Sequence, residues 1–192
     1  LPSTTVIKKD SSIKYCGEEV LTMSKERMKQ YKGSDVAMIF QDPMTSLNPT
    51  MKIGKQIMES ILLHTKMSKE EARQEAVRLL QTVNIPNAAE RVNQYPHELS
   101  GGMRQRVMIA IALACNPKVI LADEPTTALD VTIQAQILDL LRELRDKRNT
   151  AVVLVTHDLG VVADFADRIQ VMYAGEIMET GTVEEIFNDA HH

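Results

Sequence analysis

Cysteine is scarce in this sequence, and long apolar runs are missing. The two cysteines, Cys16 and Cys115, lie in unrelated contexts, which favours reduced thiols in a cytosol over a disulfide framework or a metal site. The longest apolar run, Val107 to Cys115, is far shorter than the roughly 20 residues that a membrane-spanning helix needs, and no signal-peptide pattern opens the sequence. Any association with a membrane is therefore expected to go through a partner.

An excess of basic residues is also absent. The 192 residues carry 22 Lys and Arg against 26 Asp and Glu, for a net charge of −4, and the two signs are interspersed. This balance disfavours a nucleic-acid partner, which would require a basic surface. With 44% hydrophobic and 25% charged residues, the chain has an ordinary globular composition, and its length predicts one domain with room for an inserted subdomain.

The most informative stretch runs from Val119 to Asp130. Four apolar residues are followed by Asp123 and Glu124, which is the pattern of a fully buried parallel strand that delivers two carboxylates to the edge of a sheet. A buried, unpaired carboxylate is costly, so we expect a cation or a reacting water beside this pair. The alternative is a buried strand that ends in a solvated acidic turn.

Two further apolar runs of strand length end in polar residues. Val36 to Phe40 is followed by Gln41, and Ala151 to Val155 is followed after one residue by His157. Strands that alternate with helical patterns predict the α/β class, with a mostly parallel sheet flanked by helices, and parallel strands end at one edge. Gln41 and His157 are therefore expected beside the two carboxylates, although a lone histidine more often has a structural role.

A second candidate site lies at the start of a predicted helix that runs on to Cys115. Ser100 is a suitable N-cap, and Gly101 and Gly102 follow it, so the amides of the first turn are unshielded and could bind an anion. Two glycines in a first helical turn need a reason, such as the close approach of a ligand or of another backbone. The alternative is an ordinary capped helix after a loop.

Changes in the hydrophobic pattern along the chain predict how the chain is organised. Residues 50–117 show helical patterns only, so we predict an all-helical subdomain inserted between the two parts of an α/β core, residues 1–49 and 118–192. The other local predictions are short strands around Gly17, a helix over Ser24–Tyr31, a turn-rich Met44–Pro49, a capping box of Ser68 and Glu71, a helix capped by Asp130, strands around Ala174-Gly175, and a helix capped by Thr182 and Glu185.

The order of these motifs resembles that of the ATP-binding-cassette (ABC) ATPases. The resemblance covers nearly the whole chain and rests on Gln41, Leu99–Gly102, Val119–Glu124, Ala128–Asp130 and His157, in that order. Any one of these motifs would be weak evidence, whereas five at compatible spacings are specific.

Within that family, two stretches look like the branch that imports oligopeptides, dipeptides or nickel. They are Phe40–Pro49 and Ala122–Thr132. The substrate class is implied by the resemblance alone, because none of these residues would touch a peptide. The alternatives are a soluble ABC ATPase without a transport role, and a non-catalytic fragment that docks on membrane subunits.

The resemblance implies roles for the residues at the sheet edge. ATP and Mg²⁺ would be the cofactors, with Asp123 holding the metal and Glu124 polarising the attacking water. Gln41 would join metal and water, and His157 would contact the γ-phosphate.

The resemblance also implies partners. Ser100, Gly101 and Gly102 look like the signature loop, which caps the nucleotide of an opposite subunit, and Asp130 would lie at the same seam between two ATPase subunits. The helical subdomain would dock on transmembrane permease subunits. This arrangement predicts a peripheral location at the cytoplasmic face of the cell membrane.

One motif of the family is missing from the sequence. The phosphate-binding loop reads Gly-x-x-x-x-Gly-Lys-Ser/Thr, yet the one glycine followed by lysine is Gly54, and Gln56 comes next. By resemblance the motif would precede Leu1, and Ala190–His192 looks like a cut before a C-terminal extension. The chain is therefore expected to be part of a longer ATPase and, alone, to bind Mg-ATP poorly and hydrolyse it negligibly.

Overall fold

The computed structural model describes residues 7–8, 10–127 and 129–189. Ala128, which belongs to the Ala128–Asp130 motif, lies outside the described residues, and so do the predictions on Leu1 and on Ala190–His192. Within the described part, none of the helices combines the length and the apolar character that crossing a bilayer requires.

The chain begins with a small hairpin and a short helix, as the sequence predicts. Cys16 and Gly17 form the hairpin turn with φ of 49° and 83°, the positive values that a tight two-residue turn requires. Ser24 caps the helix by accepting a hydrogen bond from the Arg27 amide. These elements are β1 (Lys14–Tyr15), β2 (Glu18–Glu19), α1 (Lys25–Gln30) and, after a kinked turn, β3 (Val36–Ile39).

Helices fill the next part of the chain: α2 (Pro43–Ser46), α3 (Ile53–His64), α4 (Lys69–Thr82), α5 (Ala88–Arg91) and α6 (Gly101–Leu113). The Ser68–Glu71 capping box is present at the start of α4. The prediction of a turn-rich Met44–Pro49 needs a correction over Met44–Ser46, where α2 forms. Asp42 nucleates this helix: its Oδ1 accepts a hydrogen bond from the Met44 amide at 2.7 Å, and Pro43 occupies the first helical turn.

The remaining elements alternate between strand and helix: β4 (Val119–Asp123), α7 (Val131–Arg148), β5 (Ala151–Val155), α8 (Leu159–Phe165), β6 (Arg168–Tyr173), β7 (Glu176–Thr182) and α9 (Val183–Asn188). Ala174 and Gly175, both at positive φ, form the turn between β6 and β7. Thr182 and Glu185 form the predicted capping box of α9.

The described main sheet is parallel, with strand order β3-β4-β5. Parallel strands flanked by helices confirm the predicted α/β class. The prediction of a fully buried β4 was wrong, because alternate residues along it are only half-buried. On that face of the sheet Met38, Val153 and Val155 are 44%, 51% and 54% exposed, whereas Ile120 and Ala122 on the other face are completely buried.

One cluster of buried side chains packs the helices against the sheet. It includes Ile57 of α3, Leu79 of α4, Ile109 of α6, Ile120 of β4 and Ile137 of α7. The division of the chain into a core and an inserted helical subdomain stays a prediction.

A buried guanidinium joins two of these helices. Arg106 of α6 donates to the Val83 carbonyl, just after α4, and to Oε1 of Gln136 on α7, both at 2.8 Å. Burial lowers the pKa of Arg106, since desolvation disfavours the charged form. These two hydrogen bonds to oxygen compensate the buried charge and link α6 to α7 and to the end of α4.

Candidate active site

The ends of the three parallel strands bring Gln41, Glu124 and His157 together. Nε2 of Gln41 donates to Oε2 of Glu124 at 2.7 Å. Nδ1 of His157 lies 3.0 Å from the other carboxylate oxygen, Oε1. Because β3, β4 and β5 run parallel, the residues that follow them reach the same edge of the sheet. The predicted convergence of these three side chains is therefore present in the structure.

Thr127 is a fourth member that the sequence reasoning did not identify as a site residue. Its hydroxyl donates to Oε2 of Glu124 at 2.9 Å, and its amide donates to the Glu124 carbonyl at 3.2 Å. The available signal was a hydroxyl three residues after a carboxylate in a turn, a spacing that allows such a contact. We call Gln41, Glu124, Thr127 and His157 the Glu124 cluster.

The backbone at Glu124 is unusual. Its φ is +43°, a left-handed value that is rare for a residue other than glycine and concentrates at functional sites. The Glu124 amide donates to the carbonyl of Val155, the last residue of β5, at 2.9 Å. This bond ties the Glu124 turn to the strand that precedes His157.

The two charged members of the cluster, Glu124 and His157, shift each other's pKa. The hydrogen bond from His157, with a further contribution from Thr127, lowers the pKa of Glu124. The same hydrogen bond with Glu124 raises the pKa of His157. Both shifts favour the charged forms, because each ion stabilises its partner. Since the His157 side chain is 77% exposed, solvent screens the pair.

This pairing has a pH dependence whose sign follows from the two shifts. The raised His157 pKa means that its contribution to stability is complete below the ordinary histidine value of about 6.5 and is lost as pH rises through the folded pKa. The lowered Glu124 pKa means that its contribution is present above about 4.3 and is lost as pH falls through the folded pKa. The attraction is therefore greatest between these limits.

We expect an NMR titration to give a His157 pKa above about 6.5, and Glu124→Gln to lower it towards that value, because the partner charge is removed. The imidazole resonance is assigned as the one lost in His157→Gln. An unchanged His157 titration in Glu124→Gln would contradict the pairing.

Asp123 and Gln41 supply the oxygen atoms that could hold a cation. Asp123 is the half-buried last residue of β4, and its carboxylate has no hydrogen bond to any described residue. Gln41 directs its amide nitrogen at Glu124, which leaves its Oε1 without a partner among the described residues. Hard oxygen donors of this kind suit Mg²⁺, which keeps several non-protein ligands. Within residues 7–8, 10–127 and 129–189, no group of three or more His, Cys, Asp or Glu could hold a metal by itself.

Ser100 caps α6 as predicted, and the two glycines after it differ in their surroundings. The Ser100 hydroxyl accepts a hydrogen bond from the Met103 amide at 3.4 Å. A Cβ on Gly102 would lie 2.7 Å from Cγ2 of Ile133, whereas one on Gly101 would meet Leu129 at an ordinary 3.9 Å. Close packing against the start of α7 therefore accounts for Gly102, and Gly101 lies at the exposed start of the helix.

Asp130 caps α7, and the structure brings this cap near the Ser100 turn. Its Oδ1 accepts from the Ile133 amide at 3.0 Å, and Ile133 is the residue that packs against Gly102. Ser100, Gly101, Gly102 and Asp130 make no hydrogen bond with the Glu124 cluster in the described part of the chain. The described candidate residues thus form two groups that share no hydrogen bond, and their two roles stay predictions.

Comparison with known protein sequences finds relatives that are ATP-binding proteins of peptide transport. The chain is 60% identical over 184 residues to the oligopeptide transport ATP-binding protein OppD of Bacillus subtilis, a match that covers 96% of this chain and 51% of that protein. It is 52% identical over 192 residues to the dipeptide transport ATP-binding protein DppD of the same organism, covering 100% of this chain and 57% of that protein. The chain thus spans about half the length of the curated relatives that it matches.

Solved structures and a family model agree with these relatives. The ATP-binding cassette MJ0796, as a dimer bound to ADP and Pi, matches with a TM-score of 0.78 and 30% identity over 88% of this chain and 72% of that chain. CbiO1 from Clostridium perfringens, part of the ABC transporter complex cbiONQ, matches with a TM-score of 0.81 and 26% identity over 96% and 71% of the two chains. A family model described as ABC transporter matches residues 4–127, and this chain therefore belongs to the ABC transporter family.

Proposed function

We propose that this chain is the hydrolytic part of an ATPase that drives the import of peptides across a membrane. The observation that carries the proposal is the Glu124 cluster, in which a carboxylate at the sheet edge is surrounded by Gln41, Thr127 and His157. The names of OppD and DppD support peptides as the transported class.

In this proposal Glu124 is the general base. A glutamate is ionised at neutral pH, and a positioned carboxylate can accept the proton of an attacking water in the transition state. Gln41 and Thr127 donate to Oε2, and His157 contacts Oε1. Because each carboxylate oxygen can accept two hydrogen bonds, Oε1 keeps a site for the water beside His157, and Oε2 gains one when Gln41 turns towards another partner.

His157 and Gln41 have such partners in the proposed reaction. His157, with a raised pKa, can donate a charge-assisted hydrogen bond to a phosphate oxygen. Asp123 and Oε1 of Gln41 would hold Mg²⁺, which supplies charge neutralisation at the β- and γ-phosphates when bound. These residues bind and orient one side of the triphosphate. The cradle for its other side, the phosphate-binding loop, is not in these 192 residues and would have to be supplied by residues outside them.

The exposed Ser100–Gly102 turn and the Asp130 cap would face a second ATPase subunit. Opposed subunits would each present the first turn of α6, with its unshielded amides, to the nucleotide of the other. The helical residues 50–117 would contact the transmembrane permease subunits, and the protein would lie at the cytoplasmic face of the membrane through them. No nucleic acid is expected as a partner.

A hybrid protein tests this function. The 184 matching residues of Bacillus subtilis OppD are replaced by this chain, so that OppD supplies the missing loop, and the hybrid is expressed in a strain that lacks OppD. We expect ATP hydrolysis by the purified hybrid and restored uptake of a labelled oligopeptide. A hybrid with a native circular dichroism spectrum but no hydrolysis would contradict the ATPase proposal, and hydrolysis without uptake would contradict the peptide-import proposal.

A further inference from the structure

The His157 side chain has few restraints of its own. It is 77% exposed, and its hydrogen bond in the structure is the one with Glu124. The position of its ring therefore depends on the backbone on either side of it. That backbone connects β5 to α8, and Thr156 and Asp158 flank the histidine.

Asp158 fixes this backbone with both carboxylate oxygens. Oδ1 accepts hydrogen bonds from the amides of Gly160 at 2.9 Å and Val161 at 3.2 Å, which caps α8. The Asp158 amide donates to the Thr156 hydroxyl at 3.1 Å. The second oxygen, Oδ2, accepts from Nε2 of Gln134 at 3.3 Å. Gln134 is thus the contact through which α7 holds the residue next to His157.

The other end of α8 is also held by α7. The Arg142 and Arg145 guanidinium groups lie 5.8 Å and 5.7 Å from the centre of the Phe165 ring, and Arg145 donates to the Phe165 carbonyl at 3.2 Å. Arg142 also forms an ion pair with Asp164. Contacts at both ends of α8 therefore join this helix to α7.

Gln134 lies in the first turn of α7, next to the Asp130 cap. Its amide donates to the Asp130 carbonyl at 2.8 Å, and the residue before it, Ile133, packs against Gly102. A shift of the Ser100–Gly102 turn against α7 would therefore reach Asp158 through a single side chain. The path from Gly102 to His157 consists of contacts within one subunit.

We propose that Gln134 is a positioning residue for His157: it anchors Asp158 and so couples the start of α7, beside the Ser100–Gly102 turn, to the histidine of the Glu124 cluster. The positioning role of Gln134 concerns contacts within this chain, whereas its effect on ATP hydrolysis rests on the proposed function. Without the anchor the Asp158 turn keeps its cap on α8 but loses its contact with α7, so it can shift and lengthen the contact between His157 and Glu124.

The first test measures the hydrogen bond between His157 and Glu124. The imidazole ¹H and ¹⁵N resonances of the 192-residue chain are recorded at a fixed pH near 6. Gln134→Leu is expected to move the His157 Nδ1 resonance towards its position in Glu124→Gln. Gln134→Lys, which returns a donor to Asp158, is expected to restore it. The control is Glu143→Leu on the same helix, because Glu143 pairs with Lys147 on the exposed side of α7, and it should leave the His157 resonance unchanged.

The outcomes separate a positioning role from general destabilisation. If Gln134→Leu leaves the His157 resonance unchanged, or if Gln134→Leu and Glu143→Leu move it equally, the proposal is wrong. Gln134→Ala serves as a second removal of the anchor in case the leucine variant does not fold. It should give the same displacement.

The second test uses the OppD hybrid. Gln134→Leu is expected to lower kcat for ATP by about tenfold, the lower end of the range for side chains that orient metal ligands, with little change in KM, and Gln134→Lys should recover most of it. If the hybrid itself does not hydrolyse ATP, the proposed function fails while the NMR result still decides the role of Gln134. If the resonance moves but kcat does not, the coupling to hydrolysis is refuted.

Discussion

Replacement of Glu124 by glutamine in the OppD hybrid is expected to lower the rate of ATP hydrolysis by about 10²–10⁴-fold. Glutamine keeps the length of the side chain and can still meet Thr127, but its amide cannot accept the proton of the attacking water. The measurement is phosphate release at saturating ATP. Binding of labelled ATP should persist, because the change removes the base without removing the metal-holding oxygens of Asp123 and Gln41.

Glu143→Gln provides the control for this substitution. Glu143 lies on the exposed side of α7, where it pairs with Lys147, so the same chemical change there should leave hydrolysis within about twofold, as expected for exposed ion pairs of little energetic weight. If Glu124→Gln hydrolyses ATP at the rate of the control, Glu124 is not the general base.

Gly54→Ala is expected to destabilise the fold by about 3 kcal/mol, at the upper end of the usual cost of overpacking. A Cβ on Gly54 would lie 2.2 Å from Cγ2 of Val92 and 2.5 Å from the Val92 carbonyl oxygen. That oxygen is also the acceptor of the Gly54 amide at 3.0 Å, so the start of α3 cannot move away without losing a hydrogen bond. Urea unfolding of this chain followed by circular dichroism measures the loss.

Gly101→Ala is the matched control, since Gly101 lies in the first turn of α6 and its nearest contact would be at 3.9 Å. Alanine there should leave the unfolding free energy unchanged or raise it by up to about 1 kcal/mol, because glycine is the poorer helix former. Equal unfolding midpoints for Gly54→Ala and Gly101→Ala would show that the contact with Val92 does not constrain α3.

Local sequence signals predicted much of this fold, and the physical reason is that they act over a few residues. The Ser68–Glu71 and Thr182–Glu185 capping boxes and the turn at Ala174-Gly175 each depend on neighbours in the chain. The convergence of Gln41, Glu124 and His157 followed from one further rule, that parallel strands end at a common edge.

Features that depend on distant contacts could not be predicted in the same way. The half-exposure of β4 depends on what covers each face of the sheet, which the apolar pattern of Val119–Ala122 does not reveal. Glycine is needed at position 102 because the side chain of Ile133 packs against it, and Ile133 lies 31 residues further along the chain. The Gln134–Asp158 contact likewise joins a helix to a loop beyond the next strand, and no spacing rule covers such a pair.

The shared cluster of buried side chains has a consequence for motion. Leu79 and Ile109 belong to the same cluster as Ile120 and Ile137, and Arg106 adds a charged hydrogen bond between α6 and α7. A hinge between the helical residues and the sheet would therefore expose buried apolar side chains. Dense packing of this kind resists large rotations and transmits small displacements. We therefore expect α6 and α7 to move with the sheet as one unit, by small displacements and not by a hinge.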